Sequence, residues 1–332
     1  MRLSLLTADT AASYLRDRGL ATVDCGVPVR VRDLSRRNHN LAVEIEGRAH
    51  WLVKQIQYDT PEVVASLARE ARCYQAAEGE GPLAALRALM PHCAHFDSVH
   101  SILVIAFLDG VNAAEAHNRV GPFERRIAEE LGRVLARLQE ATPLDSFPGD
   151  LPWVLRPLYD HSRASARSRF LAFFYARSAV AGALEELRGS WQRNALIHGD
   201  ARPENFVLVR PFDAKLVDWE LADRGDAAWD CANVMQYYWS QWALIAAPIP
   251  AAWEPLAGAL QSFWGAYGSG SRSSFGRATR FTGARLLQTA YEQFATSGAW
   301  TPAVERTARL ACLLLTKTDE ALRGFAVHND GT

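Results

Sequence analysis

One stretch near residue 200 limits the possible fold more than any other, because it spaces three polar side chains between short apolar runs. Asp200 is followed by Asn205 and, after a further apolar run, by Asp218. The apolar runs cover residues 196–197, 206–209 and 216–217. Runs this short, rich in β-branched residues and broken by polar turns, are typical of small strands. We therefore expect the two carboxylates and the amide to lie at strand ends.

This set of side chains is typical of phosphoryl transfer. One carboxylate orients the acceptor hydroxyl and takes its proton, while a second carboxylate and an amide oxygen hold Mg²⁺ on the nucleotide phosphates. A single His-Gly-Asp is only a turn, and Asp and Asn at this spacing could also be paired caps of turns. The full combination, with strands between its parts, is more specific and favours phosphoryl transfer.

The same residues resemble the catalytic loop of the aminoglycoside phosphotransferase and choline kinase-like enzymes, which share the protein-kinase fold. The pattern of that family is His-Gly-Asp, four residues, Asn, and a later Asp-Trp or Asp-Phe. It is present here at residues 198–200, at Asn205 and at residues 218–219. The pair Gly225-Asp226 resembles the next signature of the family, although Ala227 stands where Pro is usual.

The resemblance implies a role for each residue of the loop. Asp200 would be the catalytic base or the group that orients the acceptor hydroxyl, and Asn205 and Asp218 would bind Mg²⁺. ATP is the expected donor, and nothing in the sequence separates ATP from GTP. Arg202 stands where many protein kinases carry a cation, so it would stabilise charge on the transferred phosphoryl group; a surface charge is the alternative. His198 is expected to brace the loop through backbone hydrogen bonds.

The first part of the chain predicts a short helix and an antiparallel meander. The helix covers about residues 9–19, and alternating apolar residues predict strands at 27–31, 41–45 and 51–55. Lys54 lies in the third strand, and the next helix, capped by Thr60, carries Glu70. A Lys on the third strand and a Glu on the next helix form the ion pair that positions nucleotide phosphates in kinases. We therefore expect a Lys54–Glu70 pair; the alternative is a lysine that extends to water.

The loop between the first two strands departs from the kinase pattern, because residues 35–40 contain no Gly. Kinases lay a Gly-rich loop over the phosphates, where Gly lets backbone N–H groups approach closely. The resembling family often carries Ser or Asn here, which implies that Ser35 and Asn38 contact the nucleotide. Arg36 and Arg37 could bind phosphate or could be solvated loop charges.

A continuous apolar strand follows at residues 102–108, after a shorter strand near Phe96. It ends at the turn Asp109-Gly110, which fits the last strand of a small lobe and a hinge. The resemblance implies that backbone groups from Ala106 to Leu108 bind the edge of the adenine.

Beyond this hinge the pattern becomes helical. Helices are predicted over about 122–140 and 160–190, and near 252–267, 277–296 and 302–323. A further helix is predicted to begin at Asp230, which would be its cap. The resulting prediction is an α+β, bilobal protein-kinase-like fold. A small N-terminal lobe would contain an antiparallel sheet and one key helix, and the larger C-terminal lobe would be mainly helical. The resemblance implies nucleotide binding in residues 1–108 and catalysis and acceptor binding in residues 109–332.

Composition limits the partners and the compartment. The formal net charge is −1, which argues against nucleic acid or a membrane surface as the main partner. No apolar stretch approaches the length of a membrane span, and the apolar run at the start is too short for a signal peptide. The five cysteines are scattered and lack a C-x-x-C motif, which is typical of buried, reduced thiols in a cytoplasmic protein.

The residues that select the acceptor are expected mainly in the C-terminal part of the chain. Antibiotic kinases of the resembling family need acidic residues to hold a polycation, but few acids follow Asp230. These are Glu254, Glu292, Glu305, Asp319, Glu320 and Asp330. Arginine and lysine residues balance them. Four tryptophans at positions 239, 242, 253 and 264 could line a pocket, although core positions are the more common place for such residues.

These observations predict a phosphotransferase that acts on a hydroxyl of a small molecule or natural product. A peptide acceptor is the alternative, with Ser or Thr hydroxyls in a natural-product precursor of the lanthipeptide type. A further alternative is a catalytically silent binding module. Such degenerate kinases usually lose the Lys, the catalytic Asp or a metal ligand, and this chain retains all of them. The sequence does not identify a partner protein.

Overall fold

The computed structural model describes residues 4–20, 29–35, 38–157, 166–210, 213–244, 249–268 and 272–326. The strands are β1 (Val29–Asp33), β2 (His39–Ile45), β3 (Arg48–Gln55), β4 (Cys93–Asp97), β5 (Ile102–Ala106), β6 (Val111–Asn112), β7 (Ala195–Ile197), β8 (Phe206–Arg210), β9 (Asp213–Leu216) and β10 (Asp223–Gly225). The helices are α1 (Ala8–Asp17), α2 (Pro61–Glu78), α3 (Ala113–Val120), α4 (Arg125–Leu138), α5 (Ala166–Tyr175), α6 (Ser178–Gly189), α7 (Ala227–Leu244), α8 (Ile249–Tyr267), α9 (Arg272–Ser297), α10 (Pro302–Thr316) and α11 (Thr318–Ala326). The predicted α+β class is confirmed.

The chain forms two compact units. The first comprises Met1–Val111 and Val207–Ala222, and the second comprises Asn112–Phe206 and Asp223–Thr332. The predicted division after residue 108 places Asp218 in the second lobe, whereas the compact unit that contains Asp218 is the first. The assignment of nucleotide binding and acceptor binding to separate lobes stays a prediction.

The first unit is built on an antiparallel sheet with the strand order β1-β2-β3-β5-β4. Val53 of β3 belongs to a core cluster that includes Leu15 of α1. Because successive side chains of a strand point to opposite faces, Lys54 lies on the other face of the sheet. In the strand register, Lys54 is opposite Asn40 and Leu103. Helix α1 therefore covers one face and leaves the face with Lys54 to α2.

Helix α2 begins at Pro61, whose fixed φ suits the first turn of a helix. Thr60 has the extended backbone of an N-cap residue, as predicted, but its side chain makes no capping hydrogen bond. The buried face of the helix includes Leu67, Glu70 and Tyr74. A buried carboxylate such as that of Glu70 is costly unless it is paired, so this helix face requires a cation.

The second unit is mainly helical, with one small antiparallel ribbon of β7 and β10, in which Ile197 is opposite Asp223. Helix α4 packs on α8, and α9 packs on both α7 and α10. Helices α4 and α8 approach so closely that a Cβ atom at Gly132 would lie 2.2 Å from the carbonyl oxygen of Phe263. Among the described residues, no helix combines the length and the apolar character that a membrane crossing requires.

The helix boundaries differ from the prediction at several places. The described part of the region predicted over 160–190 forms two helices, α5 and α6. Helix α7 begins at Ala227, because Asp226 Oδ1 accepts the amide of Ala228 at 3.1 Å and so caps the helix. The prediction of Asp230 as the cap is wrong, since this residue lies within the first turn. The predicted helix over 302–323 is divided into α10 and α11, because the backbone leaves the helical region at Lys317 (φ −131°, ψ 40°).

The four tryptophans are buried to different degrees. Trp239 is buried, whereas Trp242, Trp253 and Trp264 are half-buried. Trp239 contacts Trp242 and Trp253 edge to face, with ring centroids 5.8 and 5.9 Å apart. The prediction that these tryptophans lie in the core is thus confirmed fully for Trp239 and partly for the other three.

The described cysteines are free thiols. Cys73 and Cys231 are buried, and Cys93 and Cys312 are half-buried, while Cys25 lies outside the described residues. Burial raises the pKa of the Cys73 thiol to about 12, so this thiol stays protonated and is a poor nucleophile.

Candidate active site

The first group of site residues is an ion cluster in the first unit, centred on Lys54. Its Nζ atom donates to Glu70 Oε2 at 2.6 Å and to Asp218 Oδ1 at 2.7 Å. The side chains of Lys54 and Glu70 are 3% and 1% exposed, whereas that of Asp218 is 52% exposed. The ion pair between Lys54 and Glu70 is therefore present. Its extension to Asp218 is not predictable from the order of strand and helix.

The charges of this cluster are one ammonium and two carboxylates. Burial disfavours the ammonium, but Glu70 and Asp218 outweigh burial and raise the pKa of Lys54 above its ordinary value. Burial raises the pKa of Glu70 to about 7, an effect that Lys54 opposes and Asp218 strengthens. Lys54 therefore stays a cation at neutral pH. Its buried partner is Glu70, and its exposed partner is Asp218.

Asp218 follows β9 and has a left-handed backbone conformation. Its backbone has φ 63° and ψ 57°, a region that Asp tolerates better than most residues other than Gly. Trp219 follows as a buried anchor, and its Nε1 donates to the carbonyl oxygen of Leu216 at 2.9 Å. The tight turn holds the carboxylate of Asp218 beside Lys54.

The second group of site residues lies in the second unit around Asp200. Oδ2 of Asp200 accepts from Arg202 Nη2 at 2.9 Å and from Asn205 Nδ2 at 3.3 Å. Oδ1 accepts from Nη2 of Arg285, on α9, at 3.2 Å. The side chain of Arg285 is 2% exposed and that of Arg202 is 38% exposed. The structure thus brings Asp200, Arg202 and Asn205 together, and it adds Arg285.

The loop that carries Asp200 is held from the first turn of α7. The amides of His198 and Gly199 donate to the two carboxylate oxygens of Asp230, at 2.6 and 2.9 Å. Burial raises the pKa of Asp230 to about 7, although both amides favour the charged form. Gly199 has φ 81°, which explains the glycine at this place. His198 Nδ1 accepts the amide of Asp200 at 3.3 Å, so His198 braces the loop as predicted.

Asn205 has one side-chain atom that remains suited to a metal ion. Its Nδ2 donates to the backbone oxygen of Asp200 at 2.8 Å, so its amide oxygen is the atom that would bind Mg²⁺. Amide and carboxylate oxygens are the hard ligands that this ion prefers. Among the described residues, no cluster of three or more His, Cys, Asp or Glu could hold a metal.

The predicted nucleotide loop is an ordered turn where the structure describes it. The hydroxyl of Ser35 hydrogen bonds to His39 Nδ1 at 3.0 Å and accepts the amide of Asn40 at 3.1 Å. Asn38 is half-buried and directly precedes β2, and residues 36–37 lie outside the described residues. A nucleotide contact by Ser35 or Asn38 stays a prediction.

The segment predicted to bind the adenine edge follows β5. The amide of Ala106 donates to the carbonyl oxygen of His92 at 2.8 Å, and that of Phe107 donates to His50 at 2.9 Å. Both N–H groups are therefore used within the sheet. Leu108, two residues beyond the strand, is the better candidate for a donor to a base.

Sequence reasoning missed Arg285 and its partner Asn233, whose Oδ1 accepts Arg285 Nε at 2.6 Å. The side chains of Ala278, Phe281 and Arg285 are buried and recur at helical spacing on α9. An arginine on the apolar face of a helix is a signal that could have identified it, because a charge there requires a partner. Nothing in the sequence identifies that partner.

Comparison with known proteins places this arrangement in context. The model for the phosphotransferase enzyme family matches residues 30–267. A choline/ethanolamine kinase family protein from Mesorhizobium loti is 16% identical over 95% of this chain and 99% of that chain, with a TM-score of 0.56. Choline kinase LicA from Streptococcus pneumoniae is 15% identical over 92% of this chain and 99% of that chain, with a TM-score of 0.56.

An aminoglycoside phosphotransferase from Alicyclobacillus acidocaldarius is 14% identical over 97% of this chain and 98% of that chain, with a TM-score of 0.54. No curated protein sequence matches the chain. The likeness to these structures confirms the predicted protein-kinase-like fold, and at such identities it shows the fold alone.

Proposed function

The chain belongs to the phosphotransferase enzyme family, and we propose that it transfers the γ-phosphoryl group of ATP to a hydroxyl of a small molecule. The observation that carries this proposal is the Asp200 carboxylate, which the loop holds beside Asn205 and Arg202. Two related structures support a nucleotide, since LicA is known in complex with AMP and APH(4)-Ia in a ternary complex with ADP and hygromycin B.

The Lys54 cluster would bind the phosphates of the nucleotide. Lys54 remains charged, and Glu70 holds it from its buried side. Asp218 is half-exposed, so its carboxylate could leave Lys54 and act as a ligand of Mg²⁺, and the amide oxygen of Asn205 is the second expected ligand. Mg²⁺, if bound, would supply positive charge against the charge that develops on the phosphate oxygens.

Asp200 would orient the acceptor hydroxyl and receive its proton. The acceptor oxygen forms a bond to the γ-phosphorus as the bond between this phosphorus and the β,γ-bridging oxygen breaks, and ADP leaves. Arg202 is near enough to Asp200 to stabilise the three oxygens of the phosphoryl group in transit. Product release would return the proton from Asp200 to solvent.

The charges of the C-terminal part favour an acceptor that is not a polycation. Several acids of the C-terminal part are already paired with bases of the same chain. The pairs are Glu292 with Arg285, Glu305 with Arg309, and Glu320 with Lys317. An aminoglycoside requires carboxylates that are available for its amines, whereas a neutral or singly charged alcohol does not. A small alcohol is therefore the acceptor class that this proposal names.

The proposal is tested by ADP release from Mg-ATP with a panel of acceptors: small alcohols including choline, aminoglycosides, macrolides, and Ser/Thr peptides. Asp200→Ala serves as the control. Release that one class of small molecule stimulates, and that the variant lacks, would support the proposal and identify the acceptor class. Stimulation by peptides alone would replace the small-molecule acceptor with a peptide.

A binding measurement separates the remaining outcomes. Mg-ATP should bind the wild type and Asp200→Ala with similar affinity and should bind Asp218→Ala far more weakly. Full transfer activity in Asp200→Ala would contradict the mechanism. Nucleotide binding without transfer to any acceptor would favour a binding module.

A further inference from the structure

We propose that Arg285 is the positioning residue of the catalytic carboxylate, which it holds in place while Arg202 leaves Asp200 for the transferred phosphoryl group. The proposal rests on the proposed function, because it takes Asp200 as the group that receives the acceptor proton. Its starting observation is that one carboxylate has two arginine partners, each bound to a different oxygen.

The two arginines differ in their freedom to move. Arg285 is 2% exposed on helix α9, whereas Arg202 is 38% exposed and belongs to the same loop as Asp200. A buried side chain among close-packed neighbours cannot change partners without disturbing them. A side chain that is partly in solvent can exchange one anion for another. Arg202 is therefore the exchangeable partner, and Arg285 is the permanent one.

Further contacts fix Arg285 where it lies. Its Nε donates to Asn233 Oδ1 at 2.6 Å, and its Nη1 is 3.5 Å from Glu292 Oε1. The Asn233 amide in turn donates to the backbone oxygen of Trp229 at 3.0 Å, within α7. The guanidinium thus connects α9, α7 and the catalytic loop. Two of its nitrogens hydrogen bond to separate acceptors, and Glu292 is an additional ion-pair partner. This rigid fork suits a positioning role.

Arg285 keeps the carboxylate of Asp200 paired with a cation when Arg202 leaves it. Asp200 is 18% exposed, and a carboxylate this far from water requires a partner. If Arg202 were its only cation, the move of Arg202 to the phosphoryl group would leave Asp200 without one. Because Arg285 retains Oδ1, Oδ2 can lose Arg202 and accept the hydroxyl of the acceptor. Oδ2 is therefore the oxygen that we expect to receive the proton.

Three variants test this role by steady-state kinetics: Arg285→Gln, Arg285→Lys and, as a matched control, Arg280→Gln. Arg280 lies on the same helix and pairs with Glu186 of α6, whose side chain is exposed. We expect Arg285→Gln to lower kcat roughly 100-fold, the size of effect that a misplaced catalytic group causes. The KM for nucleotide should stay within about two-fold, because nucleotide binding does not require Asp200.

Arg285→Lys should recover roughly ten-fold of the lost kcat, since a cation remains although the fork is lost. Arg280→Gln should retain kcat within about two-fold, because it removes an exposed arginine–glutamate pair of the same helix. In the double variant with Arg202→Gln, the two losses should combine to less than their product. Once Arg285 is absent, Arg202 is retained by Asp200 and contributes less.

The outcomes separate this proposal from the proposed function. Absence of transfer in the wild type would overturn both. An active wild type with kcat unchanged in Arg285→Gln would overturn the role of Arg285 alone. If Arg285→Lys were no more active than Arg285→Gln, the residue would be a purely structural one. If Arg285→Gln does not fold, the comparison of Arg285→Lys with Arg280→Gln decides. The kcat is then expressed per nucleotide-binding site, so that a loss of folded protein does not count as a loss of catalysis.

Discussion

The Lys54 cluster and the Asp200 cluster have opposite charges but the same plan. In the first, one cation holds two carboxylates, and in the second one carboxylate is held by two cations. In each, one partner is almost fully buried, namely Glu70 at 1% and Arg285 at 2% exposure. The other partner is partly exposed, namely Asp218 at 52% and Arg202 at 38%.

This comparison suggests how a charged centre can remain in place while its ligands change. A buried partner compensates the central charge at all times, so the exposed partner can move to a metal ion or a phosphate. A single exposed partner would not suffice, because its departure would leave a desolvated charge. The predictions below test whether buried and exposed partners differ in this way.

The largest effect should separate the function of Asp218 from that of Asp200. Asp218→Asn should weaken the binding of Mg-ATP roughly 100-fold, because it removes an anionic ligand of the metal. Asp200→Asn should leave this affinity within about two-fold while kcat falls roughly 1,000-fold, since only proton transfer and orientation are lost. Calorimetric titration with ATP, with and without Mg²⁺, gives the affinities. Equal loss of nucleotide binding in both variants would contradict the separation.

Removal of the central cation should destabilise the first unit in a manner that depends on pH. Lys54→Met leaves Glu70 buried without its partner, at a cost of roughly 3–5 kcal/mol. Glu70 has a folded pKa of about 7, above its ordinary value of 4.5. Its stabilising contribution is therefore complete below about pH 4.5 and is lost as the pH rises through 7. Lys54 lowers this pKa in the wild type, so its loss raises the pKa of Glu70 further in the variant. Denaturant unfolding should therefore show a larger cost of Lys54→Met at pH 8 than at pH 5.

A matched double variant checks the origin of this dependence. Lys54→Met combined with Glu70→Gln removes the titrating group as well as the cation. The loss of unfolding free energy in the double variant should then differ little between pH 5 and pH 8, because no buried charge remains at this place. A difference that persists would assign the pH dependence to other residues.

The exposed arginine should matter for catalysis and little for folding. Arg202→Gln should lower kcat roughly ten-fold, because a charge that stabilises the phosphoryl group is lost. Its free energy of unfolding should change by about 0.5 kcal/mol, since Arg285 still holds Asp200 and partly exposed pairs contribute little. Kinetics and denaturant unfolding of the same preparation measure both quantities. A loss of stability as large as that of Arg285→Gln would remove the distinction between the two arginines.

A buried group outside both clusters provides a control with the opposite pH dependence. Burial lowers the pKa of His117 to about 4, and its ring bonds to Tyr238 Oη and to the carbonyl oxygen of Gly121, both at 3.1 Å. The neutral ring stabilises the fold above pH 6.5, and this contribution is lost as the pH falls through 4.

His117→Gln should therefore flatten the fall in stability between pH 6.5 and pH 4 by roughly 2 kcal/mol. Thermal unfolding across this range tests the expectation. An unchanged acid slope would assign the loss of stability to carboxylates instead.

The sequence is informative wherever a contact depends on local geometry. Lys54 is at a position of β3 that the alternation of side chains assigns to one face, and Glu70 is on the next helix. The five-residue spacing of Asp200 and Asn205 closes a turn of neighbouring residues, so their contact follows from short-range backbone geometry. Both arrangements could be predicted because few residues separate the partners or because a regular element repeats between them.

Other contacts join residues whose spacing carries no periodic signal. Arg285 meets Asp200 across 85 residues, and Asp218 meets Lys54 across 164 residues. The role of Asp230 could not be predicted for the same reason. A carboxylate in the first turn of a helix can cap that helix or can support another loop from a buried position. Only the packing around the helix decides between these uses.

By itself, the sequence determined the fold class, most of the strands and helices, and the positions of Asp200, Asn205 and Asp218 close to short strands. The tertiary structure decided which partner each of these charges has and which partners are buried. The physical reason is that periodicity assigns a side chain to a face of its own helix or strand. What lies opposite that face depends on contacts between distant segments, and burial then determines whether a partner is permanent or exchangeable.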